Sequence, residues 1–477
     1  MKNKIAALLL ATATALPAAA QELRSTYFMQ TSNYKHEMNP ALLDAPYMSM
    51  PLVLGNLNLG LTGNFGLENF VYKMDPTWQG YGVEGRQYTT FMHPDVDAAD
   101  FLGDLKDKNK LSVHLKYQLA GVAWRGWGGV NLIEMNLRSN TGMVLPKSLF
   151  EFMKETGAKE DYTINDLGLR TENYMELGLG HSRKIGDKLT VGAKMKFLFG
   201  LAYADLKVDK LNLHMSDDHW DIDGKIKASA ALMKSTLEYE GADKNYVDEN
   251  GNRTERRRIS GLDEFKGGLS GFGLGFDLGA VYDVTDDLRL SAAITDLGFI
   301  SWKDAYQASS AGTWTFDGFE EDVYAGGSKT ETNQIDDQLD AITDDLENIF
   351  SVYEDEQAKK TDTRALAATI NLGAEYTLPA YRNLRFGFLY SGRLAGQYSW
   401  HSGMFSATVR PLKWLEYTAN MSFTSTGVTG GMVLDLHAKH FNFFIGTDRF
   451  FGKLSKQCIP LKSANGNISL GMSFPLN

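Results

Sequence analysis

The sequence predicts an all-β protein, a transmembrane antiparallel β-barrel of 14 strands with short helices in its extracellular connections. Three observations predict it. Apolar residues recur with a period of two over segments of roughly 9 to 16 residues, no run of 18 apolar residues follows the leader, and the connections alternate between short and long. Composition agrees, with 47 glycines in 477 residues, 12% aromatics and only 11 prolines.

The first 20 residues read as a secretory signal. Lys2 and Lys4 precede an apolar run from Ile5 to Leu16, and Pro17, Ala18, Ala19 and Ala20 end it, so cleavage is expected between Ala20 and Gln21. The run is too short to cross a hydrocarbon core of ~30 Å as a helix. Cleavage leaves 46 basic against 59 acidic residues, a charge of −13, which argues against a nucleic-acid binder built on a basic surface. Cys458 is the single cysteine, so no internal disulfide can form. An exported chain without a disulfide points to the bacterial outer membrane.

The alternation is clearest from Leu189, where Leu189, Val191, Ala193, Met195, Phe197, Phe199, Leu201 and Tyr203 share one face. Thr190, Gly192, Lys194, Lys196 and Gly200 share the other. It returns at Phe272 to Tyr282, Leu366 to Tyr376, Leu384 to Tyr390 and Leu415 to Phe423. A soluble β-sandwich also has one apolar face per strand, but its strands usually run about five or six residues. Tyr203, Tyr282, Tyr376 and Tyr390 end apolar faces where an interfacial aromatic girdle would place them.

Short turns are expected at 185–188, 284–287, 379–383, 411–413 and near Ala438, with long excursions over about 206–266 and 303–362. The walk places up-strands near 50–62, 123–137, 189–205, 288–301, 384–396, 414–425 and 441–449. Down-strands fall near 111–121, 168–183, 268–283, 363–377, 401–410, 429–437 and 465–476. Sixteen strands is the alternative count, because Ile226 to Met233 also reads as strand. Residues 21–49 are then a periplasmic or lumenal segment, a candidate plug, and 50–477 the barrel. Helical spacing occurs over Pro146 to Thr156 and Ile335 to Tyr353, each read either as a lid on the barrel mouth or as a capturing surface.

The start Ser25-Thr26-Tyr27-Phe28-Met29, the motif Asn39-Pro40-Ala41-Leu42 and the segment Leu145 to Phe152 resemble a Bacteroidota outer-membrane barrel family of unknown function. More distantly, Asn39, Pro40 and Ala41 and the strand count are similar to the long-chain fatty-acid transporter (FadL) superfamily and its relative PorV of the type IX secretion system. That resemblance implies a segment entering the barrel as a hatch, with Asn39, Pro40 and Ala41 as its motif. The same three residues also make an ordinary turn, Asn initiating and Pro setting φ. Ile468, Leu470, Met472 and Phe474 alternate toward the carboxyl end and resemble the strand signal read by the barrel-insertion machinery, without a terminal aromatic.

No Gly-x-Ser-x-Gly, phosphate loop or zinc-protease helix occurs, so no enzyme, cofactor or catalytic residue is expected. Asp435, His437 and His440 lie about a turn, and His214 and His219 bracket two aspartates; neither reads as a metal site. The inward faces carry Glu176, Lys194, Lys196, Asp277, Arg289, Glu375, Arg385, Glu416 and Asp435. Charges inside a barrel need water or partners, and the near balance of signs argues for a network that holds a plug rather than for an open channel. The reading is a FadL-like transporter or channel for a hydrophobic small molecule, which an apolar pocket beneath the 146–156 helix would favour. The alternative is a non-catalytic scaffold for a secretion or surface-assembly partner, PorV-like. Outer-membrane lipid is the expected surround, and a general porin is a weaker third reading because such barrels commonly use about 16 to 18 strands.

Overall fold

The computed structural model describes residues 22–50, 55–75, 87–216, 219–247, 253–264, 266–316, 351–450 and 464–476. The leader, the helical spacing of 335–350 and Cys458 lie outside the described residues. Fourteen antiparallel strands close into one barrel. In chain order they are β1 (Tyr47–Ser49 and, after an interruption, Leu57–Gly63), β2 (Lys108–Gly126), β3 (Gly129–Pro146), β4 (Gly168–Ile185), β5 (Leu189–Met215), β6 (Gly271–Asp283) and β7 (Leu288–Phe316). The second half comprises β8 (Tyr353–Ala365 and Ala368–Thr377), β9 (Leu384–Leu394), β10 (Trp400–Leu412), β11 (Leu415–Thr424), β12 (Gly427–His437), β13 (Asn442–Thr447) and β14 (Gly466–Pro475).

Each strand pairs with its neighbour in the chain, and β14 closes on both parts of β1, Phe474 opposite Met48 and Leu470 opposite Leu57. Closure leaves no open edge at the barrel wall, which is how the chain holds its shape without a disulfide. The first wall strand begins at Tyr47, three residues before the boundary expected at 50. Between Ser49 and Leu57 the chain advances eight residues while its partner β2 advances four, from Gly121 to Tyr117. Gln118 sits at this interruption, its amide donating to the Asn56 carbonyl at 2.9 Å and its side-chain oxygen accepting from Ser49 Oγ at 2.5 Å.

The short turns fall where the alternation predicts, with one shift. β2 and β3 run on to Gly126 and from Gly129, so the reversal is Trp127-Gly128 rather than a point near 122. Both residues have positive φ, 54° and 75°, the conformation a two-residue hairpin needs to match strand twist. At the opposite, loop end, β5 and β7 run 27 and 29 residues and outlast β6 between them. The strand Trp220–Leu232 fills the space above β6, pairing with both β5 and β7. The text that suggested 16 strands is therefore sheet outside the barrel closure, and the wall keeps 14.

The outer surface is an apolar belt. Phe272, Leu278, Leu290, Leu372, Phe405 and Phe423 are between 45% and 53% exposed, as a lipid-facing wall requires and a water-facing one would not. Tyr282 and Tyr376 join it at the turn end. Tyr203 does not: it is fully buried inside. The register shifts so that Asn173 and Tyr174 of β4 face Ala202 and Gly200 of β5, leaving Leu201 as an extra residue. One inserted residue reverses every side chain after it, so the aromatic expected in the girdle turns into the lumen.

Helix α1 (Ala98–Asp104) and helix α2 (Lys147–Lys154) cover the loop end. Asp97 caps α1 by accepting from the Asp100 amide at 2.8 Å. Phe150 of α2 enters a cluster with Phe70, Phe91, Phe101, Leu102 and Leu105, the Phe91 and Phe101 rings stacking at 4.5 Å. The space beneath α2, where an apolar pocket would have favoured a transporter, is filled by these rings.

Candidate functional site

The interior is occupied by the chain's own amino-terminal segment, residues 22–46, which precedes the first wall strand. It consists of three short 3₁₀ turns, Arg24–Thr26, Lys35–Glu37 and Pro40–Leu42, and makes no ladder with the wall. An irregular segment leaves backbone donors and acceptors that a closed lumen must satisfy. Inward wall side chains do so. Asp448 accepts from the amides of Arg24 and Ser25 at 2.6 and 2.9 Å, and Glu416 from those of Gln30 and Thr31 at 3.1 and 2.9 Å. Asn371 donates to the Met38 carbonyl at 2.9 Å, Arg385 to that of Phe28 at 2.8 Å and Asn442 to that of Thr31 at 2.5 Å.

Asn39, Pro40 and Ala41 lie at the centre of this arrangement. Asn39 Oδ1 accepts from the Ala41 amide at 3.0 Å while Pro40 opens the turn, so the local turn chemistry is present. The turn is also docked. Asn39 Nδ2 donates to Tyr27 Oη at 3.0 Å and Ser182 of β4 donates to the Ala41 carbonyl at 3.3 Å. Two wall glycines allow the approach: a Cβ at Gly192 of β5 would overlap Pro40, and one at Gly279 of β6 would overlap Asn39. His36, in the same segment, is fully buried with Nε2 2.7 Å from Tyr47 Oη. Burial, with Lys194 adding to it, pushes the imidazole down to about 3, so the ring is neutral at ordinary pH.

Above this segment the inward charges form one connected network. Lys196 meets Asp277 at 2.7 Å, Asp296 at 2.6 Å and Glu176 at 3.8 Å; Lys194 meets Glu134 at 2.5 Å and Asp277 at 4.0 Å. Arg138 joins Glu176 at 3.0 Å and Asp296 at 3.1 Å, and the segment enters the network through Glu37 and Glu22, 2.9 and 3.5 Å from Lys116. Charges this buried persist only where each has an opposite partner. A second group lies at the turn end, where Arg385 pairs with Glu416 and lies 3.9 Å from Glu375, and Arg289 lies 4.0 Å from Glu375. Asp435 makes no ion pair with either group among the described residues; it faces Glu416 in register, with Thr31 and Asn442 beside it.

Four wall members of the network, besides Glu22 and Glu37 of the segment, were missed by the sequence reading. Glu134 and Arg138 were legible, since Leu132, Glu134, Asn136 and Arg138 alternate with Ile133, Met135 and Leu137. Lys116 of β2 belongs to an inward set whose apolar face is weaker. Asp296 was not legible: a bulge between Phe276 and Leu278 of β6 sets it in β7 at φ 60°, turning it inward against the parity of Leu290 to Ile294. Among the described residues no group of three metal-ligating side chains forms; His214 pairs with Asp161 and His219 with Asp221.

Among the described residues two sizeable cavities lie inside the barrel, one toward the loop end and one at the turn end beside the amino-terminal segment. The loop-end cavity, about 370 Å³, is lined by Arg170, Glu172, Arg364, Arg393, His114 and Tyr398 with Leu366, Ala367 and Leu394. The turn-end cavity, about 240 Å³, is lined by Tyr27, Phe28, Lys35, Asp44, Arg289, Glu375 and Arg385. Neither has the apolar lining that would favour a hydrophobic solute.

Closed wall, apolar belt and self-filled lumen together define the class: a 14-stranded transmembrane antiparallel β-barrel. The particular family is that of unknown function DUF5723, to which the chain belongs, residues 40–448 matching its model. No curated protein matches the sequence. Among solved structures it is similar to the Ralstonia pickettii toluene transporter TbuX at 9% identity, over 94% of each chain with a TM-score of 0.42. It is also similar to the Pseudomonas putida toluene transporter TodX at 9% identity, over 92% of each chain with a TM-score of 0.38.

Proposed function

We propose that this protein is a non-catalytic outer-membrane channel of the transporter kind, shut by residues 22–46 and opened when that segment moves. The observation that carries the reading is the pair of cavities, one toward each end of the lumen that this segment occupies. The segment is held by side-chain hydrogen bonds and ion pairs rather than by a ladder, so it can leave without unzipping the wall. The long-loop end then faces outward and the short-turn end the periplasm. The loop-end lining joins Leu366, Ala367 and Leu394 to three arginines, which suits an amphipathic solute better than a purely hydrophobic one.

Deletion of residues 24–41 tests it. The deleted protein is expected to show at least severalfold higher single-channel conductance in a planar bilayer than the intact chain, and unchanged conductance would discard the plug. A second reading, a PorV-like scaffold, is favoured by the sheet that β5, β7 and Trp220–Leu232 build beyond the ~9 to 11 residues a bilayer crossing needs. Native mass spectrometry on protein gently extracted from its own membrane separates the two: a small-molecule adduct supports transport, and a stoichiometric protein adduct on an empty lumen supports the scaffold.

A further inference from the structure

Arg393 is the exception among the arginines of the loop-end cavity. Arg170 donates to Glu172 Oε1 from Nε at 3.2 Å and from Nη2 at 2.7 Å. Arg364 pairs with Asp205 and, at 2.9 Å, with Asp362, and its guanidinium lies over the Tyr203 ring at 4.5 Å. The Arg393 guanidinium makes no hydrogen bond or close ion pair among the described residues, although it lines the same cavity and acts on Asp296 only at longer range. Asp296, deeper in the lumen, already holds Arg138 and Lys196. A guanidinium carries five donors in a planar fork, and without a partner inside a barrel it is a place for an incoming oxyanion.

The cavity thus offers a positive fork beside an apolar patch of Leu366, Ala367 and Leu394, in a volume of about 370 Å³ within the usual range for small-ligand sites.

We propose that the loop-end cavity binds a small organic acid, its carboxylate on Arg393 and its carbon chain against Leu366 and Ala367. This rests on the channel reading for its purpose but not for its test, because binding to the closed barrel needs no opening. The test is calorimetric titration of the detergent-solubilised full-length mature chain with gluconate and with sorbitol, at constant ionic strength. The two probes share a hydroxylated six-carbon chain and differ in the carboxylate. Gluconate is expected to bind saturably and at least about tenfold more tightly than sorbitol. Arg393→Gln should remove that preference with unchanged heat-modifiable migration, and Arg393→Lys should keep part of it. No saturable gluconate binding, equal affinity for the two probes, or an undiminished preference in Arg393→Gln would each overturn the site. Binding retained in a protein whose segment deletion leaves conductance unchanged would keep the site and remove the channel.

Discussion

At the residue scale the lumen is governed by the cost of leaving a charge or a donor without a partner. Lys196 answers three carboxylates, so Lys196→Met leaves Asp277 with only Lys194 at 4.0 Å and should destabilise the barrel by roughly 3 to 5 kcal/mol. A lower heat-modifiability midpoint reads this, and Lys196→Met with Asp277→Asn should recover part of it. His36 makes a pH prediction. Its docked pKa lies below the free value of 6.5, so its contribution to docking is complete above that pH and is lost as pH falls from 6.5 toward 3. At about pH 5 the loss is about 2 kcal/mol. Channel openings should therefore become more frequent on acidification, and His36→Gln should flatten that response while leaving conductance per opening unchanged. An identical acid response in the variant would show that another group controls it.

At the element scale, a strand wall with two faces obeys parity, and parity breaks only at bulges. Phe197 lies on the outward face of β5, so Phe197→Arg puts a charge into lipid at a cost of roughly 2 to 4 kcal/mol near the midplane. Reduced membrane yield and loss of heat-modifiable migration are expected. The inward face of the same strand gives the opposite kind of test. Gly192→Leu would occupy the seat of Pro40 and unseat the segment while the wall still closes, so folding should survive and conductance rise. The even and odd positions of β5 thus separate assembly from gating. The same rule explains which site residues were legible: Lys194, Asp277, Arg385 and Glu416 follow simple alternation, whereas Tyr203 and Asp296 lie beyond bulges at Leu201 and at Asp296 itself, where one extra residue reverses the faces.

At the scale of the whole molecule, the antiparallel barrel and its apolar belt were determined by the sequence itself, while the choice of 14 strands over 16 was made by the placement of Trp220–Leu232. Period-two alternation is a local property, and its repetition between short turns leaves few other folds for a chain with no apolar helix long enough to span. The presence of charges inside was legible for the same reason. Only the tertiary structure decided which charges meet, because Lys196 of β5, Asp277 of β6, Arg138 of β3 and Asp296 of β7 are brought together by strand stagger and two bulges rather than by spacing. It also decided where the amino-terminal segment lies, since a run of 3₁₀ turns carries no periodic signal and its partners, from Ser182 to Asp448, are scattered along the chain. The unpaired Arg393 emerges at that level too: an arginine's need for a partner is local chemistry, but whether one is within reach is settled by the closed barrel around it.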